Sequence, residues 1–521
     1  MYENIAQKNM VKRLLRHVGS ETILSGSKLV RRIISPQKYK TIDFICDYLG
    51  SEVEMNDSAK VIRNKVITHL CTSHSQYFPK DCACLIYSNP VYNIDNLDWK
   101  ADSAIQKGAA VLITSKSYKD YPCIISKNPL ETWAKLCRYY RDLQKRVRIT
   151  AVIGSIGKTT TKNMVGEVYR TAYRTTWDRR NLNTLTSSGF AAQHIPHWAQ
   201  MMVQEVHEGE INETQYISQV LHPDVAIITA IDRSHYQFFG SEEKIIAEVC
   251  SIVKHMPPQG IVVVNMDEFA HFDLLEGRKV VTVSANNAKA DFFADKIMVD
   301  ECGLHFTVVV GATNGRYEVL LNNIYAPHNA VNALYAFAAG YCECIEPMKI
   351  VKGLSNFRTR GVRQNVMTTK DGVLVYADCY NAVPRSMKSA MDACDLIPVK
   401  GKRIAVLGDV EEGGELSDKM HQEILGYVND SLFDNLLYIG DKMGKAVASC
   451  EGIRETLSVN GCKSIDDLAD AVKGLVQRDD LILFKASHAS HLESCIKKVW
   501  PYLSKKLSET SGNWVKTVLP Y

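Results

Sequence analysis

A chain of 521 residues, 46% hydrophobic and 23% charged, has room for three domains and the composition of an ordinary globular protein. Its net charge of +4 gives no reason to expect nucleic acid as a partner, and no uninterrupted apolar run reaches the ~18 residues of a membrane-spanning helix. The fifteen cysteines are scattered, and their closest pairs, Cys82/Cys84 and Cys342/Cys344, lack the C-x-x-C spacing of zinc sites, so reduced thiols in a cytoplasmic protein are expected.

The first 40 residues carry Lys8, Lys12, Arg13, Arg16, Lys28, Arg31, Arg32, Lys38 and Lys40 against only Glu3 and Glu21. Val11, Leu14, Leu15 and Val18 recur at helical spacing within them, which predicts a basic, amphipathic lead segment. A transit peptide and a docking segment for a protein partner are the alternatives. Residues 1–147 form a first α/β unit, with short strands at Cys84–Tyr87 and Ala110–Ile113. From 148 to 357 a strand–helix alternation sets in. Ile149–Ile153, Met201–Val206, Val225–Ile231 and Ile261–Asn265 are apolar, β-branched runs, separated by helical stretches such as Glu242–Lys254, so a parallel sheet covered by helices is expected. Asn314-Gly315, between Leu304–Val310 and Tyr317–Leu321, marks a hairpin. A third unit, 358–521, repeats the alternation at Val373–Ala377, Ile404–Leu407, Leu436–Ile439 and Leu481–Phe484.

The chemistry concentrates in "IGSIGKTTTKNMV" (153–165). Only Ser155 and Ile156 separate Gly154 from the Gly157-Lys158 pair, where the general P-loop pattern has four residues. A strand that ends at Gly154 and a helix that begins near Lys158 still aim free backbone N–H groups at one point, which is an anion site. Glycines let phosphate oxygens approach the backbone, Lys158 can supply charge at the β/γ-phosphates, and Thr159 or Thr160 can present a hydroxyl to Mg²⁺.

The short G-x-x-G-K-[ST] loop resembles that of the Mur ligase family, and further stretches match in family order: "NLNTLTSSG" (181–189), "QEVHEGEI" (204–211), "PDVAIITAIDRSHYQFFGS" (223–241), "VVNMDE" (263–268), "PHNAVNALYAFAAG" (327–340), "DCYNAVPRSM" (378–387), "AVLGDVEEGGELSDKMH" (405–421) and "LFKAS" (483–487). The resemblance implies a three-domain α/β architecture, with a central P-loop parallel-sheet ATPase domain and a C-terminal Rossmann-like domain. It also implies an ATP- and Mg²⁺-dependent ligase that activates a carboxylate as an acyl phosphate and joins it to an amine. The implied substrates are small molecules: a carboxylate-bearing acceptor such as a UDP-linked muropeptide, and an amino acid or dipeptide such as D-alanyl-D-alanine. By position in the motifs, the resemblance gives the phosphates to Gly154, Ser155, Gly157, Lys158, Thr159 and Thr160. It gives the metal to Thr159, Glu205 and His235, adenine to Asn332, and the ribose to Asp378. Arg363 is the arginine on the ATP phosphates, with Arg360 as competitor, and Asn181 and Asn183 border the γ-phosphate. Lys158, Glu205, His235 and Arg363 form the implied catalytic set.

Several positions depart from the family pattern. Val249 stands where many members carry a carbamylated lysine, and Lys244 is about 140° off that helix face. Only Val206, His207 and Glu208 separate Glu205 from Gly-Glu-Ile, Pro327 replaces a glycine before His328, and His488 replaces the arginine of a C-terminal K-G-S-R motif. The uridine-binding D-S-R motif has only a blurred counterpart in "CTSHSQYFPKDCACLIY" (71–87), although "KGAAVLIT" (107–114) fits a later family strand. Three readings follow: a peptidoglycan-precursor ligase, a ligase of the same chemistry with another carboxylate substrate, and a nucleotide-binding scaffold that does not ligate.

Overall fold

The structure, a computed structural model, describes residues 40–73, 78–87, 97–144, 146–178, 182–232, 236–359, 361–411 and 413–508. Of the basic lead segment only Lys40 falls within them. The chain divides into two compact units, Met1–Leu143 and Gln144–Tyr521.

In the first unit β1 (Lys40–Thr41) pairs with β3 (Val66–Ile67), beside a five-stranded sheet. That sheet has the order β2 (Val53–Met55), β7 (Cys123–Ser126), β6 (Ala109–Thr114), β5 (Cys82–Leu85), β4 (Leu70–Thr72), with only the β2–β7 pair antiparallel. Cys82 and Cys84 are fully buried in β5, which begins two residues earlier than the apolar run suggested. All fifteen cysteines are free thiols.

The second unit holds two sheets. The first runs β16 (Gly315–Asn322), β15 (Gly303–Val310), β14 (Phe292–Asp300), β13 (Lys279–Ser284), β12 (Ile261–Asn265), β11 (Val225–Ile228), β8 (Arg148–Ile153), β10 (Met201–Glu205), β9 (Thr175–Trp177). Strands β8 to β14 and β9 are parallel, and β14–β15–β16 form an antiparallel extension. Parallel strands covered on both faces read as unbroken apolar runs, and five consecutive residues of β8 are buried. Val152, Val203, Ile227 and Val263 share one core with Met164, Val165 and Val168 of helix Lys158–Tyr169, and with helix Asn329–Cys342. The latter helix is buried around almost its whole circumference, and a Cβ on its Gly340 would lie 2.7 Å from Val168 Cγ1.

Two boundaries differ from the sequence reading. β11 stops at Ile228 rather than Ile231, because the Ala230 carbonyl turns out of the sheet to accept the amides of Ser155 and Ile156, at 2.8 and 3.1 Å. The helix begun at Glu242 is α-helical only to Cys250 and tightens into a 3₁₀ turn at Ser251–His255. The hairpin at Asn314-Gly315 is present: Asn314 takes a left-handed φ of 53° and Gly315 pairs with Val310.

The second sheet has the order β17 (Asn365–Thr368), β18 (Leu374–Asp378), β22 (Leu481–Lys485), β19 (Arg403–Gly408), β20 (Asn435–Ile439), β21 (Ser458–Cys462), parallel except for β17. Alternate residues feed two cores: Leu481 and Leu483 of β22 enter one, Ile482 and Phe484 the other. Among the described residues, no helix is long and apolar enough to cross a membrane.

Candidate active site

The loop between β8 and helix Lys158–Tyr169 is shaped by two glycines that no other residue could replace without a shift. Gly154 has φ 130°, and a Cβ there would meet Thr229 Oγ1 at 2.4 Å. Gly157 has φ 88°, and its Cβ would meet Asn332 Oδ1 at 2.8 Å. The Ser155 hydroxyl donates to the Asp232 carbonyl (3.0 Å), so Ser155 closes the loop rather than facing solvent. No side chain caps the helix start at Gly157, which leaves its first-turn amides available to an anion. Thr159 is buried and Thr160 half-buried on that first turn.

Lys158 Nζ donates to the Gly154 carbonyl and to both oxygens of Glu208, at 2.7 and 2.9 Å. Glu208 is completely buried. Four residues on, one helical turn further, buried Lys162 places Nζ 3.1 Å from Glu205 Oε2. Glu205 ends β10, and its Oε1 accepts from Asn183 Nδ2 at 3.0 Å. Oε2 has no hydrogen bond of good geometry, so the ion pair leaves it a free lone pair. Burial alone would raise the Glu205 carboxyl, but Lys162, Arg363 and Lys158, with the nearby Thr159 hydroxyl, hold it below the usual carboxylate range. Three cations against two carboxylates leave a net positive centre at the end of the parallel sheet.

Arg363 reaches this centre from the segment that leads into the second sheet. Its guanidinium lies 3.6 Å over the Tyr380 ring, and Tyr380 in turn stacks on exposed His488 with centroids 5.2 Å apart. Asp378, the last residue of β18, is buried, and its Oδ2 accepts from buried Lys485 Nζ at 2.6 Å. Asn332 is buried beneath Gly157, where Oδ1 accepts from Thr161 Oγ1 (3.2 Å) and Nδ2 donates to Asn329 Oδ1 (2.9 Å). A cavity of about 570 Å³ opens at the C-terminal ends of β11 and β12, lined by Thr229, Asp232, Asn265, Glu268, Tyr335 and Arg385, among others. Carboxyl ends of parallel strands beside a change of strand order are where such sheets bind ligands.

Burial pushes the His328 imidazole, beside Asp378 and Lys485, from an ordinary 6.5 down to about 4. Between those values the unfolded chain binds a proton that the folded chain refuses. Stability is therefore expected to fall as pH drops from about 6.5 to 4, by no more than about 1.4 kcal/mol per pH unit. His328→Asn should flatten that limb in a urea-unfolding series; equal slopes in the two proteins would assign it to other groups.

The structure thus gathers Gly154, Gly157, Lys158, Thr159, Glu205, Asn332 and Arg363 around one loop end, with Asp378 joined through a hydrogen-bond chain. His235, Asn181 and Arg360 lie outside the described residues. Val249 is fully buried while Lys244 faces outward. Sequence reasoning did not single out Glu208, Gln364 or Lys485 as partners of the site.

An anion site at the end of one parallel sheet, met by an arginine from the segment that leads into a second, largely parallel sheet, marks a nucleotide-binding α/β protein. Residues 152–340 match the Mur ligase middle domain and residues 362–488 the Mur ligase glutamate ligase domain. The chain belongs to the Mur ligase family and is an ATP-dependent ligase. It is 30% identical to the UDP-N-acetylmuramoyl-tripeptide–D-alanyl-D-alanine ligase of Bacillus subtilis (strain 168), over 76% of this chain and 86% of the relative. To the protein of the same name from Escherichia coli (strain K12) it is 27% identical, over 76% and 86%. Among solved structures, it resembles MurF from Acinetobacter baumannii (crystal structure II) with a TM-score of 0.73 and 22% identity, covering 88% of this chain and 98% of the other. MurF ligase from Thermotoga maritima in complex with ADP gives 0.70 and 20%, covering 84% and 98%.

Proposed function

We propose that the chain joins D-alanyl-D-alanine to UDP-N-acetylmuramoyl-tripeptide in the cytoplasm, the reaction named for its relatives from B. subtilis and E. coli. The observation that carries the reading is the meeting of Lys158, Thr159, Glu205 and Arg363 around an uncapped helix start. In this reading residues 1–147 hold the UDP-linked substrate, 148–357 the ATP, and 358–521 the incoming amine. The first-turn amides and Lys158 cradle the phosphates, Arg363 neutralises charge on them, and Asn332 and Asp378 serve the adenine and ribose ends.

The donors fit Mg²⁺: Glu205 Oε2 is a buried carboxylate oxygen that faces Lys162 at 3.1 Å but has no hydrogen bond of good geometry, and Thr159 adds a hydroxyl beside the carboxylate, both hard oxygen ligands. His235 is the third member of the set by sequence position. When bound, the ion would offset charge on the phosphate oxygens. The substrate carboxylate oxygen attacks the γ-phosphorus and ADP leaves; the amine then attacks the acyl phosphate carbon, phosphate leaves, and the amine proton is lost. Water exclusion around the acyl phosphate would follow closure over the substrates.

One observation favours a second reading, the same chemistry on a different pair of substrates: His488 stands where the family has arginine and lies stacked on Tyr380, beside Arg363. Full-length protein with ATP, Mg²⁺, the UDP-linked tripeptide and D-alanyl-D-alanine should release phosphate only when all are present. A chain that binds ATP yet releases none would leave the second reading standing and remove the first.

A further inference from the structure

A directed chain of side-chain hydrogen bonds runs between the two sheets of the second unit. Thr161 Oγ1 donates to Asn332 Oδ1 (3.2 Å), Asn332 Nδ2 to Asn329 Oδ1 (2.9 Å), and Asn329 Nδ2 to Gln364 Oε1 (2.8 Å). Gln364 Nε2 lies 3.1 Å from His328 Nε2, and since burial keeps that imidazole neutral, its nitrogen accepts. Each of the three amides accepts with its oxygen and donates with its nitrogen, so turning any one over would set like groups against each other. Asn329 is fully buried and Asn332 nearly so, which makes a broken link costly.

Gln364 is where this chain crosses to the second sheet. Its backbone N–H donates to Asp378 Oδ1 at 3.1 Å, while Lys485 holds the other oxygen of the same carboxylate. Its φ is +48°, a left-handed conformation that a residue with a Cβ adopts at a cost and keeps only where its surroundings fix it. One residue therefore grips the helix start beneath Gly157 with its side chain and the Asp378 carboxylate with its backbone.

We propose that Gln364 is a positioning residue for ATP, holding the phosphate-binding loop and the Asp378 carboxylate in register so that one nucleotide engages both. This rests on the ATP reading of the site. A ligand that uses only the loop does not need the register; a ligand with a nucleoside does.

Full-length protein in Mg²⁺ buffer, titrated calorimetrically with ATP and with inorganic tripolyphosphate, separates the two. Gln364→Leu keeps the volume and the backbone cost at φ +48° but removes both side-chain hydrogen bonds. It should weaken ATP binding about tenfold or more, leave tripolyphosphate within about twofold, and raise KM for ATP while kcat stays within about threefold. Gln364→Glu, which retains the acceptor facing Asn329, should lose less than leucine does. Unchanged ATP affinity overturns the proposal, and so do equal losses for both ligands, which would mark a local distortion of the loop. If the leucine variant does not fold, the glutamate variant decides: it must lose ATP affinity selectively, by about threefold or more, or the proposal falls. A wild-type chain that binds tripolyphosphate but not ATP would instead overturn the ATP reading itself.

Discussion

Lys158→Met is expected to lower kcat/KM for ATP about 1,000-fold and to destabilise the fold in the same stroke. The ammonium is the loop's only side-chain cation directly on the anion site, and charge placed on a transferring phosphoryl group has effects of this size. All three of its N–H groups already have acceptors, the Gly154 carbonyl and both Glu208 oxygens. To serve a phosphate it must exchange one of them. Methionine fills the space but leaves a fully buried carboxylate without its partner, a loss of about 3–5 kcal/mol. The double variant Lys158→Met/Glu208→Gln should regain most of the stability in urea unfolding and none of the activity. Recovery of activity in the double variant would mean that the lysine serves the fold and not the phosphates.

Glu205→Gln should cost about 100- to 1,000-fold in rate and move the Mg²⁺ dependence to higher concentration. The substitution keeps an acceptor for Asn183 but removes the charge that faces Lys162, which is 1% exposed. Part of the effect will be structural, since Lys162 is left buried beside a neutral group. The Mg²⁺ titration distinguishes the roles. A variant that is slow at every Mg²⁺ concentration, with an unshifted midpoint, would make Glu205 an anchor for Lys162 alone.

The loop and its helix were legible from the glycine, lysine and threonine spacing, and β8, β10, β11 and β12 because each is an apolar run buried on both faces; the half-exposed β9 and the neighbouring β13 of the same sheet were not. β17 and β21 were not: "NVMT" and "SVNGC" are edge strands with partly exposed faces, and carry neither alternation nor an apolar run. Lys162 could be placed from the helical repeat, four residues beyond Lys158. Glu208 and Gln364 could not be paired from sequence, because their partners are 50 and 35 residues away and come from other elements. The motif resemblance assigns Asn332 to adenine; its amide is committed to Thr161 and Asn329, and any nucleoside contact must share those bonds.

The helix Asn329–Cys342 carries a consequence for how this sequence can drift. Ala330, Ala333, Ala336, Ala338 and Ala339 are each fully buried, and Gly340 abuts Val168 of the loop helix. A larger side chain at Gly340 would press on Val168, and enlarging any of the five buried alanines is expected to overpack the core beneath the loop. The edge strand Ser458–Cys462 is more open, with Ser458, Asn460 and Gly461 exposed, although a Cβ on Gly461 would still lie 2.6 Å from Tyr438 Cζ. The nucleotide loop thus rests on a helix that leaves little room for larger side chains.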